Sequence, residues 1–169
     1  FKKKLGIPAD SKKKVLLYVP TFREYQPEMA TNFSYAFIKA LSAEYEVVYR
    51  GHYFTNGANI SGLHNVSKLS LYKLFLVTDI LVTDYSSVLF DFAIFNKPIY
   101  LFQPDILEYR EKRGLYLTGR DLKIPTAYSE AMLWNMLKRD YDYSKVERIR
   151  HDYNNHDVHA AVERIKQII

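Results

Sequence analysis

The segment richest in chemistry runs Thr78-Asp79-Ile80-Leu81-Val82-Thr83-Asp84-Tyr85-Ser86-Ser87-Val88-Leu89-Phe90-Asp91. Its pattern predicts a buried strand ending at Thr83, a turn at Asp84 and Tyr85, and a helix opening at Ser86 and Ser87. A helix start presents unpaired backbone N–H groups and partial positive charge, which suit a phosphate. Two serine hydroxyls there add donors to the same anion. Asp91 follows Ser87 by four residues and falls on the same helical face. A carboxylate at that place repels phosphate but accepts from sugar or polyol hydroxyls, or orients a basic group. A plainer role is open as well: Asp84 or Ser86 can simply cap the helix.

Arg23 stands after another strand end and the Pro20-Thr21 turn. That position brings it toward the same mouth, where a guanidinium can hold a pyrophosphate bidentately. The alternative is a surface ion pair with Glu24 or Glu28. His156 and His159 are three apart, a spacing that can present two metal ligands. They read better as exposed helix-start residues, and no metal site is expected. There is no cysteine, which removes thiolate nucleophiles, disulfides and Cys-based zinc sites.

These residues need a scaffold of alternating strands and helices. Lys14 to Pro20 has the form of a buried parallel strand. Thr31 to Tyr45 places Phe33, Phe37, Ile38, Leu41 and Tyr45 at helical spacing, with Thr31 or Asn32 near the start. Glu46 to Tyr49 is the next strand, and Asn65 to Leu69 a short one. Leu71 to Val77 reads as a helix, Ile80 to Thr83 as a strand, Ser86 to Phe95 as a helix and Pro98 to Phe102 as a strand. Beyond Tyr128 the pattern is helical: Ala131 to Lys138, Tyr143 to His151, and Val158 to Ile169. Repeated strand–helix units predict an α/β fold, a parallel sheet with helices on both faces.

The 169 residues are enough for one domain with a sizeable core. The net charge of +5 favours anionic partners. Six lysines lie in the first fourteen residues and read as a solvated linker. Fifteen Tyr and ten Phe are spread along the chain without a basic–aromatic motif, so nucleic acid is not an expected partner. No apolar run reaches bilayer length. The opening Phe1-Lys2-Lys3-Lys4, without an initiator Met, predicts a fragment of a longer protein.

The run from Thr78 to Asp105, TDILVTDYSSVLFDFAIFNKPIYLFQPD, resembles the signature of the CDP-glycerol glycerophosphotransferase family of teichoic-acid and capsule synthesis. Upstream, Leu17 to Arg23 resembles that family's Tyr-x-Pro-Thr-aromatic-Arg segment. Downstream, Tyr109 to Tyr116 resembles its Tyr-x-x-x-Arg-Gly-x-Tyr stretch. The resemblance covers roughly residues 5–165. It implies a Rossmann-like domain, the C-terminal half of a GT-B-type two-domain transferase, with the active site between two facing domains. On that basis 1–13 is a linker from a missing N-terminal domain, 14–128 the donor-binding domain, and 129–169 helices packed on it.

The resemblance also implies the roles. The reaction is transfer of glycerol phosphate from CDP-glycerol, or a related CDP-alcohol such as CDP-ribitol, to a polymer or lipid-linked acceptor, with CMP leaving. His52 and Asp84 become the catalytic candidates. Arg23, Ser86, Ser87, Asp91, Arg113 and Gly114 become the substrate-binding ones, with a salt bridge to Asp105 or Glu108 as the other reading of Arg113. Asp105 is placed near the ribose, and Tyr109 and Tyr116 in packing. No cofactor is implied, and no Gly-rich phosphate loop is present. The family's acceptors imply a cytoplasmic protein with peripheral contact to the inner membrane face. The chain departs from the pattern in three places: Tyr53 follows His52 where proline is usual, Val158 follows Asp157 where glycine is usual, and Ile124 to Ala127 lacks a Gly-Pro pair. These leave open the identity of the donor, and with it a nucleotide-sugar glycosyltransferase or epimerase, or a non-catalytic nucleotide-binding module.

Overall fold

The structure is a computed structural model that describes residues 2–26, 31–51 and 61–154. Its first strand, β1 (Lys14–Val19), is buried at every position but Lys14. A strand with no solvent face must be covered on both sides, and its neighbours do this. β1 pairs in parallel with β2 (Tyr45–Tyr49) on one side and β4 (Ile80–Thr83) on the other, so that Leu17 lies between Val48 and Leu81. β3 (His64–Asn65) extends the β2 edge, and β5 (Ile99–Phe102) and β6 (Thr126–Ala127) extend the β4 edge. The six-stranded sheet has the order β3-β2-β1-β4-β5-β6. This is the doubly wound order in which the chain reverses direction between its first and fourth strands, opening a crevice at their carboxyl ends.

Strand side chains alternate between two cores. Leu17, Val19, Leu81, Ile99 and Leu101 face α2 (Leu71–Val77), α3 (Val88–Ala93) and α7 (Ser144–Asn154), which supply Leu74, Phe75, Val88, Leu89, Phe92, Val146 and Ile149. Leu16, Tyr18, Val47, Val82, Tyr100 and Phe102 face α1 (Tyr35–Glu44) and α6 (Glu130–Leu137), which supply Phe37, Ile38, Leu41, Leu133 and Leu137. Two further helices, α4 (Ile106–Arg113) and α5 (Gly119–Leu122), lie between β5 and β6.

Several expectations shift. The first long helix begins at Tyr35, because the Ser34 hydroxyl caps it by accepting from the Phe37 N–H at 3.2 Å. Thr31 and Asn32 stay outside it. The pattern gave no strand at Thr126–Ala127; it pairs with Leu101 and Phe102 as the sheet edge. The first thirteen residues are not all solvated, since Leu5 and Ile7 are buried in the core shared with Leu17 and Phe92. The helix expected over Val158 to Ile169 lies outside the described residues. No helix among the described residues is long and apolar enough to cross a membrane.

Candidate functional site

The crevice at the switch point is built from the segments leaving β1, β4 and β5. Thr83, at the end of β4, donates its hydroxyl to the Val19 carbonyl at 2.7 Å, which locks the two strand ends together. Asp84 follows and is 2% exposed. Its carboxylate accepts from the Thr21 N–H at 2.9 Å, the Thr21 hydroxyl at 2.6 Å, the Arg23 guanidinium at 2.6 Å and the Tyr85 N–H at 2.6 Å. With so many donors arranged around it, Asp84 is held as a buried carboxylate that fixes the turn. It caps that turn rather than the helix, whose N-cap is Ser87, so the helix cap that its sequence position suggested is not its role.

Arg23 is the partner of that carboxylate and is itself only 3% exposed. It donates through Nε to Asp105 at 2.8 Å and through Nη2 to the same carboxylate at 3.1 Å. Its partners are Asp84 and Asp105; of the two glutamates weighed for it from sequence, Glu24 pairs with Arg113 instead and Glu28 lies outside the described residues. Tyr85 and Tyr109 stack on each other with ring centroids 3.7 Å apart, and Arg23 sits over both rings at 5.3 and 5.5 Å. Tyr85 also donates its hydroxyl to Asp105 at 2.9 Å. Burial alone would lower the Arg23 pKa, but hydrogen bonds and charge from Asp105 and Asp84 raise it well above its ordinary value. Burial raises the Asp105 pKa, and the Arg23 hydrogen bonds and charge more than offset this, leaving it lowered. Burial, then the charge of Asp105, pushes the Tyr85 phenol far up, so it stays a donor. In this arrangement Arg23 braces three segments and lies beneath the crevice, because both faces of its fork are taken by carboxylates.

Above this brace opens a cleft of about 290 Å³. Asp84, Tyr85, Ser86 and Ser87 line it from the β4 side, Gln103 and Tyr109 from the β5 side, and Arg113, Gly114 and Tyr116 from the end of α4. Ser87 is exposed and makes no side-chain cap, while the Ser86 hydroxyl accepts from the Val88 N–H at 3.3 Å. Arg113 pairs with Glu24 at 2.9 Å, not with Asp105 or Glu108, and its side chain remains 38% exposed at the mouth. Gly114 ends α4 at φ 73° and ψ 164°, a region kept almost wholly to glycine.

The structure therefore brings Asp84, Ser86, Ser87, Arg113 and Gly114 into one cleft and puts Arg23 under it. Asp91 is not brought in. It lies on the exposed side of α3, since Val88, Leu89, Phe92 and Ala93 take the buried side and the helix starts only after Ser87. Asp105 pairs with Arg23 and Tyr85 rather than facing a ligand, and Tyr116 is fully exposed rather than packed. His52, His156 and His159 lie outside the described residues. Sequence reasoning did not single out Gln103 or Thr21. A polar residue directly after the IYLF strand was the available signal for Gln103. Among the described residues no group of three His, Asp or Glu stands in a metal-ligating array.

The family model described as CDP-Glycerol:Poly(glycerophosphate) glycerophosphotransferase matches residues 1–169. The chain belongs to this family. It is 34% identical over 158 residues to the teichoic acid glycerol-phosphate primase of Bacillus subtilis (strain 168), a match covering 86% of this chain and 40% of the primase. It is 38% identical over 129 residues to the teichoic acid poly(glycerol phosphate) polymerase of the same strain, covering 68% of this chain and 17% of the polymerase. The solved structure of the wall teichoic acid polymerase TagF superposes with a TM-score of 0.76 at 29% identity, covering 99% of this chain and 45% of that one. This glycerophosphotransferase-family chain thus spans less than half the length of these relatives.

Proposed function

We propose that this chain is the donor-nucleotide domain, the C-terminal half of a GT-B-type two-domain transferase, and that the whole enzyme moves glycerol phosphate from CDP-glycerol or a related CDP-alcohol to a polymer or lipid-linked acceptor, releasing CMP. The observation that carries this reading is the single cleft at the carboxyl ends of β4 and β5, where Ser86, Ser87, Arg113 and Gly114 converge. Serine hydroxyls and an exposed guanidinium supply the donors a diphosphate needs, and charge-assisted bonds to phosphate are the strong ones. Phosphoryl transfer asks for little covalent chemistry from the protein. It needs a held donor, neutralised phosphate charge and a base for the attacking hydroxyl.

In this reading Ser86 and Ser87 bind the diphosphate and Arg113 steadies its charge. Asp84 acts by fixing the turn that presents both serines, and His52 is the base or, protonated, a group that stabilises the phosphate charge. Family membership and the solved structure of a TagF variant soaked with CDPG, which superposes at a TM-score of 0.73, support the choice of donor. An N-terminal domain would close the cleft and carry the acceptor side. The basic chain is compatible with peripheral contact to an anionic membrane face in the cytoplasm.

Calorimetry with CMP, UMP and CDP-glycerol tests the assignment. Binding of CMP and CDP-glycerol with UMP clearly weaker is expected. Equal binding of all three, or none, overturns the donor. A CMP-release assay on a protein that joins this chain to the upstream domain then tests turnover.

A further inference from the structure

Gln103 directly follows β5, lines the cleft and is 2% exposed. Its side-chain amide has a settled orientation. Nε2 donates to the Asp84 backbone carbonyl at 2.8 Å, and turning the amide over would set two oxygens against each other. Oε1 is therefore the free end, and it has no hydrogen-bond partner among the described residues. A buried acceptor without a donor is destabilising, and a ligand that brings a donor recovers that loss.

The chemistry of such a donor is constrained. Phosphate oxygens are acceptors and carry negative charge, so the diphosphate cannot satisfy Oε1. The neighbours of Gln103 along the cleft include Leu89, Leu101 and Leu122, at 3%, 1% and 4% exposure. Apolar walls suit a flat ring with one polar edge. They do not suit a polyol, whose several hydroxyls would each need a partner.

We propose that Gln103 reads the nucleobase: its Oε1 accepts a hydrogen bond from the exocyclic amino group of a cytosine whose ring lies against Leu89, Leu101 and Leu122. This rests on the donor-nucleotide reading above and adds the residue that selects the base. Uracil presents a carbonyl oxygen where cytosine has its amine, which would set acceptor against acceptor. Sites built to pair a ligand donor reject analogues that lack it, because the buried acceptor is left alone again.

The test removes the donor from the ligand before it touches the protein. Binding to the full chain is measured by calorimetry for CMP and for its 4-deamino analogue, the 2-pyrimidinone riboside monophosphate. The analogue is expected to bind about tenfold more weakly. In Gln103→Met, which keeps the length and loses the acceptor, the two ligands are expected to bind alike. Equal binding of both to the unaltered chain means that the base does not reach Oε1, and the inference falls while the donor reading stands. A loss that follows removal of the ribose 2′-hydroxyl, in deoxy-CMP, assigns the donor to a sugar and also overturns it. Failure of CMP and CDP-glycerol to bind at all takes down both readings together. The comparison of ligands on the unaltered chain decides the matter even if the Met variant does not fold.

Discussion

Asp84 accepts both hydrogen bonds that Thr21 has to give, from its backbone N–H at 2.9 Å and from its hydroxyl at 2.6 Å. The residue leaving β4 is thereby tied to the residue leaving β1, across the point where the sheet reverses its winding. A crevice at such a point is as wide as its two lips allow. Asp84 fixes one lip against the other, and Arg23 extends the tie to Asp105 beyond β5.

Asp84→Asn should therefore act on stability before it acts on chemistry. The amide keeps the shape but loses the charge that compensates Arg23, and removing one partner of a buried ion pair is destabilising by about 3–5 kcal/mol. Urea denaturation should show a midpoint well below that of the unaltered chain. An unchanged midpoint would mean that the Arg23–Asp105 pair alone suffices, and that Asp84 is free for another role.

Ser86 and Ser87 should behave in the opposite way. Ser87 is exposed and makes no side-chain cap, and Ser86 accepts one long bond of 3.3 Å. The double change Ser86→Ala with Ser87→Ala should shift stability by no more than about 1 kcal/mol. Affinity for CDP-glycerol should fall about tenfold, with free cytidine much less affected, because only the diphosphate uses the hydroxyls. Parallel losses for the two ligands would place the phosphates elsewhere.

Asp105 sets an acid limit. Its pKa is lowered in the folded chain: burial opposes the charged form, but the hydrogen bonds and charge of Arg23 outweigh it. A group depressed in this way contributes stability that is present above its unfolded pKa, about 3.9, and is lost as pH falls through the folded value. The stability difference between the unaltered chain and Asp105→Asn should be constant at neutral pH and shrink steadily as pH drops below about 4. A difference that stays constant to pH 2 would show that the Arg23 pair does not couple to the Asp105 proton.

The sheet was readable because parallel strands buried on both faces announce themselves as unbroken apolar runs. KVLLYV, ILVT and IYLF gave three adjacent strands to within a residue or two. β6 was not readable, since two residues carry no periodicity and Thr126–Ala127 becomes a strand only by pairing with Leu101 and Phe102. The serine pair was legible for a local reason, its place between strand and helix. The partners of Arg23 were not, because Asp84 and Asp105 lie 61 and 82 residues away in sequence. Gln103 escaped notice because its interest comes from an unfilled bond, which is a property of packing. Asp91 shares the exposed side of α3 with Ser87 as its spacing suggested, but it sits a full turn further from the helix start and does not line the cleft.

Gly114 separates backbone need from ligand need. It closes α4 at φ 73° and ψ 164°, and a Cβ built there meets nothing within 4 Å. Crowding therefore contributes nothing to the effect of Gly114→Ala, and the strain of the dihedral pair remains, about 1–3 kcal/mol. The chain can relieve that strain by turning the peptide at the cleft mouth, which moves the neighbouring Arg113. Thermal melting should fall in the variant, and CDP-glycerol binding should weaken along with it. Arg113→Lys should leave melting near that of the unaltered chain and weaken only the ligand, since the guanidinium side chain is 38% exposed and its Glu24 partner 72% exposed. If both variants lower stability equally, the end of α4 serves the fold alone and the cleft mouth lies on the β4 side.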